Sequence, residues 1–254
     1  HLLELGHTVK VMGRDFQNVQ AVIDAGAKLV KVDVRDQDAV IAACKGCDAV
    51  IHAGALSSPW GKRQDFEAIN IGGTQSILKG CDIHQVPRLI HISSPAVIFD
   101  GHDQINAPDT APYAKRHLSH YSYSKQKAEE MVLAKRQKLE SIILRPKAIY
   151  GPGDKALLPR LIGIAKSGRL PRIGDGQNRV ALTYVSDVVD AVVCALEAPI
   201  QNDFPVYAIT GPENPVLWDV IQNLLEALNI QTSLRPLPEW IALKAANILE
   251  VWGE

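Results

Sequence analysis

The sequence predicts an α/β protein: a doubly wound, mainly parallel sheet with helices on both faces, followed by a small C-terminal lobe. Three observations carry this. Short apolar stretches near residues 8–12, 28–32, 48–52, 88–92 and 141–144 alternate with amphipathic stretches of helical period, the pattern of parallel strands covered on both faces. Each stretch runs into glycine, serine or charged residues, at the carboxyl strand ends where such sheets bind ligands. After Arg145-Pro146 the alternation gives way to glycine turns and more widely spaced elements. At 254 residues the chain is long enough for one large α/β domain with a lobe.

Taken in order, residues 1–7 read as the last turns of a helix, and 8–12 as a strand ending at Gly13-Arg14. Residues 18–25 are helical in pattern; 28–32 form a strand that stops at Asp33. Residues 37–44 are helical, and the strand 48–52 enters Ala53-Gly54-Ala55. A long helix is expected over 66–79, a strand over 88–92 leading to Ser93-Ser94, a helix from Tyr121 to about Arg136, and a strand over 141–144. Beyond it, Tyr150-Gly-Pro-Gly-Asp154 and Gly174-Asp-Gly176 are turns. Helices are expected over 157–167, 188–196 (capped by Ser186 or Asp187), 218–228 and from Pro238 on, with strands over 181–185 and 205–209. This divides the chain into a ligand-binding sheet domain, 1–150, and a lobe, 151–254, interleaved with the sheet near 181–209.

Composition narrows the function classes. Hydrophobic content of 46%, charged content of 22% and a net charge of −1 are ordinary for a soluble protein. They provide no electrostatic case for nucleic acid or an anionic membrane surface, and no apolar run reaches the length of a membrane span. The eight histidines are scattered and no metal-ligand spacing occurs. Cys44-Lys-Gly-Cys47 is either a redox pair or two small residues where a helix hands over to a strand. The second reading is preferred, because a redox pair opens a helix, where the macrodipole lowers the thiol pKa. The expectation is a reduced, cytoplasmic protein without a metal.

Tyr121 and Lys125 stand four apart where a helix is expected, so the phenol and the ammonium share one face. A free tyrosine ionises near pH 10 and needs a neighbouring cation to exchange a proton at neutrality; alternatively the two form an ordinary surface pair. Asp33 either accepts a hydrogen bond from a base or caps the next helix with Asp36. Small residues at 53–55 either admit a flat ligand to the backbone or allow tight packing.

These features fall into an ordered set: Leu3-x-x-Gly6-His7-x-Val9, Asp33-Val-Arg-Asp36, Asp48-Ala-Val-Ile-His52-x-Gly54-Ala55, Asn70-Ile-Gly-Gly73-Thr74, Ile92-Ser93-Ser94, Tyr121-x-x-Ser124-Lys125 and Leu144-Arg-Pro146-x-x-x-Tyr150-Gly-Pro-Gly153. In order and spacing they resemble the extended short-chain dehydrogenase/reductase family. Ser93-Ser-Pro-Ala-Val97, Gly151-Pro-Gly-Asp154 and Gly174-Asp-Gly-Gln-Asn178 with Tyr184-Val185 are most similar to its 3β-hydroxysteroid dehydrogenase-like branch. The resemblance implies a Rossmann-like fold and an NAD(P)-dependent dehydrogenase/reductase. It makes Tyr121 the general acid/base, Ser94 rather than Ser93 the hydroxyl that polarises the substrate oxygen, and Lys125 the group that lowers the tyrosine pKa and holds the nicotinamide ribose. Asp33 and Val34 would meet the adenine, Ala53, Gly54 and Ala55 the ribose and pyrophosphate, and Pro146 to Ile149 the carboxamide. Asn70 would support the strand ends beside the cofactor. Arg14, at the end of the second family strand, favours NADP; NAD is the alternative if Asp15 takes the ribose hydroxyl.

Pro95-Ala96 replaces the Asp-Glu pair of family dehydratases, and Val180 stands where nucleotide-sugar enzymes carry an arginine. The expected reaction is therefore alcohol–ketone interconversion by hydride transfer on a sterol-like or other apolar small molecule. The competing readings are a nucleotide-sugar epimerase and a non-catalytic dinucleotide sensor. By analogy, two copies pair through the helices at 66–79 and 121–136. The family's first strand and glycine-rich turn are not found before His1, so a fragment that binds dinucleotide poorly by itself is expected.

Overall fold

A computed structural model of the chain describes residues 1–17, 19–58, 60–168, 170–199, 204–232, 235–238, 240–242 and 244. It divides into two compact units, His1–Pro146 with Val189–Ile209, and Lys147–Val188 with Thr210–Glu254.

In the first unit, residues 1–6 form a helical turn that ends at Gly6, where φ is +86°. His7 N donates to Leu2 O and Gly6 N to Leu3 O, both at 3.0 Å, the paired bonds with which a helix closes on a left-handed glycine. Strands β1 (Lys10–Gly13) and β2 (Lys28–Lys31) form one parallel ladder. Strands β3 (Ala49–His52), β4 (Arg88–Ile92), β5 (Glu140–Pro146) and β9 (Val206–Ile209) form a second, in that spatial order. Among the described residues no ladder joins β1 to β3. The doubly wound parallel arrangement read from the alternation is the one observed.

The helices are placed by caps and by close approach. Helix α1 (Gln20–Asp24) is a short turn between β1 and β2. Asp36 caps α2 (Gln37–Ala43) by accepting from Ala39 N at 3.1 Å. Helix α3 (Arg63–Phe66) passes into a π-helical turn (Glu67–Gly72) and on into α4 (Gly73–Ile83), so the helix expected over 66–79 is longer and carries an extra residue in one turn. A Cβ at Gly73 would stand 2.5 Å from Val34 Cγ2, and one at Gly80 would stand 2.7 Å from Cys44 Sγ. These glycines bring α4 down onto β2 and α2. Val40, Cys44, Ile77, Cys81, Leu89, Val132, Ile143 and Val206 form the main core there, and Cys44 ends α2 rather than opening a helix.

Helix α5 (His120–Ala134) starts with a capping box in which Ser119 and Ser122 satisfy each other's backbone amides. The sequence motif began one residue later and missed Ser119. At the start of β4, Arg88 Nη1 donates to the carbonyls of Ala195, Leu196 and Ala198 at 3.2, 2.7 and 2.8 Å, tying β4 to the end of α7 (Val185–Glu197).

The second unit contains β6 (Ile149–Tyr150) paired with β8 (Thr183–Tyr184), β7 (Pro171–Ile173) paired with β10 (Arg235–Leu237), and helices α6 (Leu158–Lys166) and α8 (Leu217–Ala227). Ala165, Leu170, Ile221 and Leu225 form its core. The strand expected over 181–185 shrinks to two residues, and α7 starts at Val185, so Ser186 and Asp187 lie inside its first turn and do not cap it. Most of the helix expected from Pro238 falls outside the described residues. No described helix is long and apolar enough to cross a membrane.

Candidate active site

The carboxyl ends of β1 to β5 collect most of the sequence-derived site residues in the first unit. Arg14 follows β1 and is exposed. Asp33 follows β2; both its oxygens accept from Arg35, at 3.0 Å from Nε and 2.6 Å from Nη2. These bonds hold the Asp33 carboxyl well below the usual carboxylate range, with the Arg14 charge adding to the effect. Asp33 is therefore not the cap of α2; Asp36 is. Val34 lies beneath Gly73.

Ala53, Gly54 and Ala55 after β3 are all exposed, and a Cβ built at Gly54 would meet only His52 Cε1, at 4.0 Å. Packing thus gives no reason for the glycine. The next residue, Leu56, is held at both backbone groups by Asn70: Leu56 N donates to Oδ1 at 2.7 Å, and Nδ2 donates to Leu56 O at 3.1 Å. Asn70 is buried in the π turn, a feature that often marks functional sites. Its Nδ2 also donates to Ser124 Oγ at 2.8 Å, and Ser124 Oγ donates to Tyr121 O at 2.9 Å. One amide therefore connects the loop after β3 to α5.

Ser94 leaves β4 in extended conformation and accepts from Ala96 N at 3.2 Å. Its hydroxyl lies close enough to the Tyr121 phenol to lower the pKa of that group. Ser93 is buried and donates to Glu129 Oε2 at 2.5 Å, so of the two serines it is Ser94 that faces the phenol. Burial pushes the Tyr121 phenol above its ordinary value, and the nearby Ser94 hydroxyl opposes this in part. The sequence expectation was the reverse, a phenol lowered by Lys125. The reason is geometric: Lys125 Nζ turns inward, donating to Ile92 O at 2.7 Å and standing 3.4 Å from His91 Nε2. Lys125 is 3% exposed, and burial pushes it down to about 8, against the opposing charge of Glu129.

Two buried histidines lie beneath the lysine. His52 and His91 are register partners on β3 and β4 with ring centroids 5.3 Å apart. Burial, then the Lys125 charge, pushes His52 down to about 3 and His91 well below its usual value. Pro146 ends β5 and is buried. Ile149 belongs to the second unit, on β6 opposite Thr183. The intervening Ala148 has φ +31°, a strained conformation for alanine. Arg179, one residue from the nucleotide-sugar position, donates from Nη1 to Asn214 O at 2.9 Å. Sequence reasoning missed Glu129, His52, His91 and Tyr113. The signal for Glu129 was present, since residues 121, 125 and 129 recur every four residues along one helical face.

A parallel α/β frame with a serine, a half-buried tyrosine and a lysine one helical turn on at its strand ends is the frame of an extended short-chain dehydrogenase/reductase. Within that class the chain belongs to the 3-beta hydroxysteroid dehydrogenase/isomerase family, whose profile matches residues 2–231. It is 32% identical over 253 residues to the 3beta-hydroxysteroid-dehydrogenase/decarboxylase isoform 2 of Arabidopsis thaliana, covering 93% of this chain and 45% of that protein. With isoform 1, of which 55% is covered, the chain thus spans about half the length of these relatives. It is 35% identical to the 2-alkyl-3-oxoalkanoate reductase of Stenotrophomonas maltophilia, over 89% of this chain and 70% of that one. The UDP-glucuronic acid 4-epimerase from Bacillus cereus, solved in complex with NAD, shares the fold: TM-score 0.79, 23% identity, 94% of this chain and 83% of that one.

Proposed function

We propose that the chain interconverts a secondary alcohol and a ketone on an apolar substrate, with a nicotinamide dinucleotide as redox partner. The observation that carries this is the approach of Ser94, at the end of β4, to the Tyr121 phenol, with Lys125 buried one turn further along the same helix. The exposed Ala53-Gly54-Ala55 edge, open above Gly54, and the Asp33–Arg35 pair fit a dinucleotide laid across the strand ends. When bound, the dinucleotide would supply or accept the hydride.

The protein's part is to hold and move a proton. In reduction, Ser94 donates a hydrogen bond to the ketone oxygen and Tyr121 transfers its phenolic proton to that oxygen as the carbon receives hydride. Ketone, hydride and proton together make the alcohol; oxidation is the reverse. Burial keeps the phenol protonated at neutral pH, the form reduction needs, so oxidation of the alcohol should rise with pH. Arg14 supports NADP as the preferred cofactor, because its exposed guanidinium lies at the strand end that meets the adenosine ribose.

The relatives' names suggest a narrower class. One couples a hydroxysteroid dehydrogenase with a decarboxylase and the other reduces a 3-oxoalkanoate. A 3-oxo acid loses carbon dioxide readily and a 3-hydroxy acid does not, so both names fit a 3-hydroxy or 3-oxo carboxylate on an apolar skeleton. The test is NADPH or NADH turnover against 3-oxo acids, plain hydrophobic ketones and sugar nucleotides, at saturating cofactor. Tyr121→Phe should lower kcat by ~10²–10⁴-fold while nicotinamide fluorescence still reports binding. Full activity in that variant would overturn the assignment; sugar-nucleotide turnover without net redox change would make the chain an epimerase.

A further inference from the structure

Glu129 is 0% exposed, yet the reaction outlined above gives it no task. It pairs with Arg145, itself 2% exposed, through Nη2 and through Nε at 3.2 Å. It also accepts from Tyr113 Oη at 3.0 Å and from Ser93 Oγ at 2.5 Å. Arg145 Nη1 donates to Asp109 O at 3.1 Å, and Asp109 Oδ1 accepts from Ala208 N at 2.7 Å. A carboxylate removed from water on this scale needs such a full set of donors. A pair of apolar residues would have filled the same space without them.

What the carboxylate touches is specific to the site. Ser93 is the chain neighbour of Ser94, and it is held twice, by its side chain on Glu129 and by its amide on Leu144 O at 2.7 Å. On α5, Glu129 is one turn beyond Lys125 and two beyond Tyr121. The titratable groups facing Lys125 are His91 of β4, His52 of β3, and Tyr121 and Glu129 of its own helix. Both histidines and the phenol are held neutral by burial, which leaves Glu129 as the anion of this set.

We propose that Glu129 is a positioning residue for this site: through Ser93 it fixes the direction of Ser94, and by its charge it holds Lys125 as the ammonium. The proposal rests on the roles given above to Ser94, Tyr121 and Lys125. The electrostatic half is tested without cofactor or turnover, by following the lysine Cε resonances of ¹³C-lysine-labelled protein through a pH titration. Lys125 is the resonance lost in Lys125→Arg. Its midpoint, about 8 in the parent chain, should fall by about one unit in Glu129→Gln, the size of one near-neighbour charge effect. It should stay in place in Ser93→Ala, which keeps the charge.

The mechanical half is read from kinetics. Ser93→Ala and Tyr113→Phe each leave the ion pair intact and should lower kcat by ~10-fold, with KM changed less than twofold, as loss of one hydrogen bond to a charged group allows. An unmoved Lys125 midpoint in folded Glu129→Gln overturns the proposal. If that variant fails to fold by near-ultraviolet circular dichroism, parent-level kcat in both Ser93→Ala and Tyr113→Phe overturns it instead. A parent chain without turnover counts against the hydride-transfer reading, and the lysine titration then decides the proposal alone.

Discussion

At the scale of single residues, the chemistry of this site depends on what burial does to ordinary side chains. Tyr121 and Lys125 share a helical face, but the phenol is raised and the ammonium lowered because burial removes part of the water from the first and nearly all of it from the second. Their spacing was legible in the sequence; the sign of the tyrosine shift was not, since it follows from the inward turn of Lys125 toward Ile92 O. Arg14 is the opposite case, an exposed cation whose meaning lies in its place at a strand end. Arg14→Ala should weaken NADPH binding by ~10–100-fold, the range expected for one charge-assisted bond to a phosphate, and leave NADH binding unchanged. Fluorescence titration with the two cofactors checks this. Equal losses for both would point to Asp15 and to NAD.

At the scale of elements, the π turn at Glu67–Gly72 does what a regular helix does not. The extra residue in that turn goes with an Asn70 side chain buried among the loop after β3 and Ser124 of α5, all three bonds within 3.1 Å. The Asn-x-x-Gly-Thr motif marked Asn70 without showing its partners, because they are 14 and 54 residues away along the chain. Asn70→Ala leaves the half-buried Leu56 N without its acceptor and should cost ~1–3 kcal/mol. Urea unfolding measures that loss, and the variant should also bind dinucleotide more weakly as the 53–56 edge loosens. Unchanged binding with full loss of stability would confine Asn70 to a structural part.

For the molecule as a whole, stability should depend on pH through the two imidazoles in the sheet. His52 titrates near 3 when folded and near 6.5 when unfolded, and His91 is displaced in the same direction. Between those limits the unfolded chain binds more protons, so stability is fully present above about pH 6.5 and is lost as pH falls toward 3, at up to ~1.4 kcal/mol per pH unit for each histidine. Asp33, also lowered, adds loss in the same direction at the acid end. The urea midpoint should therefore drop between pH 7 and pH 4.5, and His91→Phe should flatten that slope. A midpoint independent of pH over this range would show that the imidazoles are hydrated in solution.

The sequence by itself determined the parallel α/β class, and it singled out the strand ends, with Ser94, Tyr121 and Lys125, as the candidate site. It did so because period, turn residues and short spacings are local properties, and ordered motifs preserve them along one chain. Only the tertiary structure decided that Ser93 is turned onto Glu129, that Asp36 and not Asp33 caps α2, and that Gly54 has no packing to satisfy. It alone revealed the pair Glu129 and Arg145, sixteen residues apart on α5 and β5, and the tilted pair of imidazoles on β3 and β4. These are relations between elements that meet only when the sheet forms, and burial, which sets their charges, is a property of the folded whole.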